Sequence, residues 1–166
     1  DLAQFKRWYT DAGTPRLTMI EDWQDGTLAL TFTQETPPTP GQAQKLPRVI
    51  PVAVGLIGPN GDEVTPTQVL EVTEASQTFT FAGLGARPVV SALRGFSAPV
   101  MLSRDLDDAT RAFLLAHDTD PFARWEAARD LARGTLLAML DGAAPEPEYL
   151  SAIGRLLADP ALDPAY

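Results

Sequence analysis

The 166-residue chain contains no cysteine. Disulfides, thiolate metal ligands and a cysteine nucleophile are therefore excluded, and a thiol-free chain fits a reducing compartment, so a cytoplasmic location is expected. Histidine is nearly absent too, with His117 alone. A catalytic zinc site needs several converging ligands, and the paired-His motif needs two imidazoles one helical turn apart. A Ser-His-Asp arrangement would also have to use His117, yet no Gly-x-Ser-x-Gly elbow is present. Basic charge is in deficit: 13 Lys and Arg stand against 22 Asp and Glu, a formal net charge of −9. Such a balance opposes contact with nucleic-acid phosphates. No apolar run approaches the roughly 20 residues that cross a bilayer, and the start DLAQFKRWYT lacks the charged start and the apolar stretch of a signal peptide, so no membrane partner is expected.

What is present suits a folded protein. Hydrophobic residues make up 45% and charged residues 21%, close to an average globular domain. The length allows one ordinary domain or two small ones. The chain opens on Asp1, and its amphipathic set Leu2, Phe5, Trp8 and Tyr9 reads as the tail of a longer element. A piece of a larger protein is expected.

From Thr14 to about Leu102 apolar residues tend to alternate between Pro, Gly, Asn and Asp punctuation, which is strand behaviour. Arg16–Ile20 runs through Trp23 to Asp25-Gly26, a pair that favours the positive φ angles of a tight hairpin. Leu28, Leu30 and Phe32 then fall on one face of a partner strand. Thr36–Gly41 is proline-rich and reads as a loop. Further strands are expected at Val49–Ile57, Val69–Val72, Thr78–Phe81 and Pro88–Leu93, with Gly58–Gly61 as a turn. Six or seven short strands predict an antiparallel β-sandwich of immunoglobulin-like type, without the Cys-Trp-Cys hallmark.

Near Ser103 the period becomes helical. Leu106 to Ala116 suits a helix capped by Asp107, and Asp120-Pro121 is a strong start signal for a second helix ending at Asp141-Gly142. A third is predicted over Glu148–Ala158, with Leu150, Ile153, Leu156 and Leu157 as its apolar stripe. Asp163-Pro164 looks like one more helix start. Helices this few need partners to bury their apolar faces.

Each chemical candidate also has a plain structural reading. His117, at a helix end, suits hydrogen bonding near the C-terminal carbonyls. Asp105, Asp107, Asp108, Asp118 and Asp120 flank helix starts, where carboxylates cap N–H groups; they lack the spacing of a calcium loop. Gly83 and Gly85 are half a nucleotide fingerprint, but a strand follows where a helix is required. Trp8, Trp23 and Trp125 sit in apolar patterns that favour core or interface packing over a sugar platform. Arg124 and Arg129 read as solvated surface, whereas Arg87 and Arg94 bracket the last β-like segment and are placed to pair with acidic groups of a neighbouring domain.

Several strings resemble one family. Asp1-Leu2, Gln4 to Tyr9, Gly13-Thr14-Pro15 and Thr33 to Pro40 are similar to bacterial-type aminopeptidase N, a gluzincin metallopeptidase. Leu70 to Ala75, Gln77-Thr78-Phe79, Arg87-Pro88-Val89, Leu93 to Val100 and Asp120 to Ala128 continue in family order. The resemblance implies a four-domain exopeptidase with zinc on a His-Glu-x-x-His helix and a downstream Glu ligand, an amine-recognising Gly-Ala-Met-Glu-Asn segment, and a transition-state-stabilising Tyr. The two motifs are absent from this chain, and Tyr9, Tyr149 and Tyr166 match no such position, so no catalytic, cofactor-binding or metal residue is carried over. It implies instead the end of a catalytic-domain helix at residues 1–12, an immunoglobulin-like β-sandwich at 13–102 and the start of a C-terminal α-helical domain at 103–166. The expected role is a noncatalytic linker whose partners are the other domains of the parent enzyme, with zinc and peptide substrates belonging to that parent. A rival reading is a free-standing sandwich that holds a peptide or glycan through Trp23 and Phe32.

Overall fold

The computed structural model describes residues 2–145 and 147–158, leaving aside the side chain of Glu148; the Asp163-Pro164 start and Tyr166 lie outside them. Strands β1 (Arg16–Gln24) and β2 (Thr27–Glu35) form an antiparallel ladder from Arg16↔Glu35 to Gln24↔Thr27. The two residues between them, Asp25 (φ 47°) and Gly26 (φ 75°), both take positive φ, the twist that a two-residue hairpin requires. Strict alternation in β2 sends Leu28, Leu30 and Phe32 inward, each fully buried. Phe32 meets Phe79 edge to face at 6.0 Å.

β3 (Ile50–Ile57) breaks this alternation, being buried along nearly its whole length. Its even-numbered side chains fill the sandwich, while Ile57 joins the hydrophobic cluster of the helices and the Ala53 amide donates to Ser97 Oγ at 2.9 Å. Both faces of this strand are covered, so a continuous apolar run is what its sequence shows. β4 (Glu63–Val72) is longer than the predicted Val69–Val72, because its first half is a polar edge strand with no apolar alternation to announce it. There the pairing shifts from Val54↔Gln68 to Leu56↔Thr65, a bulge that absorbs Pro66, which has no N–H to give. β5 (Ser76–Phe81), β6 (Val89–Ala92) and β7 (Met101–Ser103) complete two sheets, β5-β2-β1-β7 and β4-β3-β6. The immunoglobulin-like sandwich is as expected, with one difference in detail: β7 runs parallel to β1, from Arg16↔Met101 to Thr18↔Ser103.

Among the described residues before the sandwich only a single turn, α1 (Arg7–Thr10), is helical. Leu2, Phe5 and Tyr9 are exposed, whereas Trp8 packs on the sandwich, donates its indole N–H to Val49 O at 2.8 Å and lies 4.9 Å beneath the Arg48 guanidinium. After the sandwich come α2 (Asp108–His117), α3 (Pro121–Leu140) and α4 (Pro147–Ala158). Asp107 accepts from the Thr110 amide and Asp120 from the Ala123 amide, both at 2.8 Å, which are the two predicted caps. Among the described residues no helix is long and apolar enough to cross a membrane.

Candidate functional site: the joint between sandwich and helices

A densely bonded, buried charged group sits where the two layers meet. After β6 the chain turns through Leu93 (φ 56°), Gly95 (φ 62°) and Phe96 (φ 53°). A left-handed conformation costs a residue with a side chain about 1 kcal/mol or more, so two such residues in one turn must be held by their surroundings. The turn drives Arg94 inward, leaving it 5% exposed. Its Nε donates to Ser91 Oγ at 2.8 Å, and Nη1 donates to Thr67 Oγ1 at 2.9 Å and to the Glu63 carboxylate. Its Nη2 donates to Asp118 Oδ1 at 3.1 Å. Ser91, Thr67 and Glu63 belong to the sandwich; Asp118 follows α2. One planar fork thus spans both layers.

The backbone is shaped to admit it. A Cβ on Gly55, in the middle of β3, would fall on the Arg94 guanidinium, far inside van der Waals contact. Around this contact, the Gly95 amide donates to Asp120 Oδ2 at 3.0 Å and the Asp120 amide to Asp118 Oδ1 at 2.9 Å. Phe96 and Phe122 rings pack at 5.2 Å. Burial pushes the Asp118 carboxyl above its ordinary value, while the Ser91 hydroxyl, the Asp120 amide and Arg94 pull it the other way without outweighing burial. A buried cation between two carboxylates stabilises little on balance, but removing it leaves uncompensated charge.

His117 closes the same joint from the other side. It ends α2, stacks on Phe113 at 4.7 Å, and covers the Gly61 turn so closely that any Cβ there would strike its ring. The predicted carbonyl-capping role is thus replaced by a packing role. Beside the joint an open cleft of about 880 Å³ lies between β1, the start of β6 and the 103–107 segment, lined by Glu21, Arg87, Arg104 and Asp105 among others. Burial raises the Glu21 carboxyl, against the pull of Arg104 and Arg87. Arg104 donates to Val90 O at 2.7 Å, and burial lowers its pKa despite Glu21 and Asp118.

The remaining candidates are scattered. Asp107 and Asp120 cap helices, Asp108 pairs with Arg111 at 2.9 Å, and Asp105 lines the cleft. Among the described residues no three His, Cys, Asp or Glu side chains are grouped to hold a metal ion. Gly83 and Gly85 lie between β5 and β6 with no helix behind them. Trp23 packs against the sandwich core, but Trp125 is 46% exposed under Arg129, so it is not core within this chain. Phe32 is fully buried, which removes it from any binding platform. Arg124 is not simply solvated: its Nε donates to Leu115 O at 3.1 Å, tying α3 to the end of α2. Arg94 pairs within this chain, across its own two layers, and its hub role was missed in the sequence. The available signal was Gly55, a glycine inside an apolar strand, which marks the close approach of another group.

Fold and joint together define a class: an immunoglobulin-like sandwich fused to a helical-repeat layer. The chain belongs to the family described as "Domain of unknown function (DUF3458) Ig-like fold", matched over residues 13–105, and residues 108–166 match "Domain of unknown function (DUF3458_C) ARM repeats". It is similar to aminopeptidase N of Caulobacter vibrioides, 44% identical over 171 aligned residues that cover all of this chain and 20% of that protein. Aminopeptidase N of Escherichia coli is 42% identical over 141 residues, 79% of this chain and 16% of its own length. A solved structure of Legionella pneumophila aminopeptidase A in complex with aspartic acid superposes with a TM-score of 0.83 at 28% identity, over 98% of this chain and 19% of that one. This chain therefore spans a fifth or less of the length of each of these relatives.

Proposed function

We propose that this chain is the noncatalytic, structural part of a zinc-dependent aminopeptidase N that removes N-terminal residues from peptides in the cytoplasm. Its sandwich is a spacer between a catalytic domain and a helical domain, with residues 1–12, 13–102 and 103–166 as the tail of the former, the spacer and the start of the latter. The observation that carries this reading is similarity to aminopeptidase N along the whole of this chain, whose described residues group no metal ligands. Zinc supplies Lewis-acid chemistry when bound, and its ligands belong to the catalytic domain; what this chain contributes is relative position, through the bonded joint at Arg94.

The test is direct. The 166-residue chain, supplied with zinc, is expected to release no product from amino-acid amides, while a longer polypeptide that includes it removes N-terminal residues in a chelator-sensitive way. Stoichiometric zinc with turnover on the short chain, or a chelator-insensitive long one, would overturn the reading.

A further inference from the structure

We propose that Arg94 is a positioning residue: seated in the notch left by Gly55, it sets the angle at which the helices leave the sandwich. The guanidinium is bonded on the sandwich side to Ser91, Thr67 and Glu63 and on the helix side to Asp118. A planar fork bonded at three corners tolerates little rotation of one layer against the other, since tilting breaks several directional bonds together. A lysine at this position keeps the charge but has one nitrogen, and cannot serve all four partners in fixed directions.

Three further features make this a built seat and not an incidental ion pair. Gly55 gives up a side chain in the middle of a buried strand, a position where glycine weakens the strand, and the space it leaves is the space the guanidinium fills. Leu93 and Phe96 adopt left-handed backbone that neither favours, and their turn aims Arg94 into that space. The same turn is fastened to the helices through the Gly95 amide on Asp120 and the Phe96 ring on Phe122. Strain held in place by contacts on both sides marks a constrained position.

The geometry predicts a specific non-additivity. Gly55→Ala crowds the guanidinium and Arg94→Met removes it, so each variant alone should loosen the joint; once Arg94 is gone, the Gly55 methyl has little left to displace. By amide hydrogen exchange of the 166-residue chain, Arg94→Met and Gly55→Ala should each speed exchange in α2, at Leu114 and Leu115, by about tenfold or more, while Leu30 and Phe32 in β2 stay protected within about twofold. Adding Gly55→Ala to Arg94→Met should change α2 exchange less than about threefold further, and Arg94→Lys should fall between wild type and Arg94→Met. Protection in β2 certifies that each variant is folded. Multiplicative effects of the two substitutions, or α2 protection unchanged in Arg94→Met, would overturn the proposal.

A consequence for peptide handling rests on the spacer reading above. In the longer zinc-dependent polypeptide, Arg94→Met is expected to raise KM for peptides while kcat for a single amino-acid amide holds. Loosened α2 exchange with peptide KM unchanged would support the joint and sink the spacer role; intact exchange would sink the joint whatever the kinetics.

Discussion

The sandwich and the helices solve the burial problem differently. Leu17, Leu28, Leu30, Phe32, Ile50, Val52, Leu56 and Val72 are all fully buried in a core that the sandwich assembles from its own two sheets. The helices bury Leu114, Leu115, Leu131 and Ala152, but they borrow Ile57 from β3 to do so. They also leave Leu136, Leu137, Leu140 and Leu157 between 52% and 83% exposed. A sheet pair closes its own interior, whereas a helical repeat buries one face on its predecessor and offers the other onward. The joint at Arg94 follows from that asymmetry: the first helices need the sandwich more than the sandwich needs them.

The sharpest way to break the contrast is to empty the core that is complete. Phe32→Ala removes a fully buried ring paired with Phe79, and should cost about 3–5 kcal/mol, seen as a large fall in the denaturant midpoint for the whole chain. A loss under about 1 kcal/mol would mean that the sandwich core is not tightly packed.

A smaller effect is expected at the joint through pH. Burial holds the Asp118 carboxyl above its ordinary 3.8. Between the raised value and 3.8 the folded chain keeps a proton that the unfolded chain has released, so this group favours folding more as pH falls through that window and less as pH rises through the folded value. Comparing unfolding free energies of wild type and Asp118→Asn from neutral to acid pH should show wild type gaining relative to the variant. Parallel curves would show that Asp118 is not desolvated in the fold.

The least effect is expected on the open helical face. Leu140→Gln should change stability by no more than about 0.5 kcal/mol, because that side chain is 83% exposed. A large destabilisation measured by thermal unfolding would mean that the face is covered in solution and that the contrast between the two regions is smaller than it looks.

The legible parts of the molecule were those written in local rules. Asp25-Gly26 specified a turn, alternation in Leu28, Leu30 and Phe32 specified a face, and Asp107 and Asp120-Pro121 specified helix starts, since each depends on neighbours within a few residues. The first half of β4 was not legible: an edge strand faces solvent and needs no apolar pattern. The parallel β1–β7 pair was not legible either, because pairing across more than eighty positions leaves no local trace. Trp125 carried an apolar pattern, yet among the described residues its ring meets only Phe122 and Arg129 in the contacts seen and stays 46% exposed.

For the joint, sequence alone supplied the ingredients: an arginine at the end of a strand, a glycine inside another, and acidic residues between two helices. Their meeting depended on bringing β3, β4, β6 and the α2–α3 connection to one point, and that required two sheets to stack and a helix pair to dock on them. Local propensity acts over a few residues, so it determined strands, turns and caps. Which charge would be buried beside which was decided only by tertiary packing, where the cost of leaving a guanidinium unpaired selects the one arrangement that satisfies it.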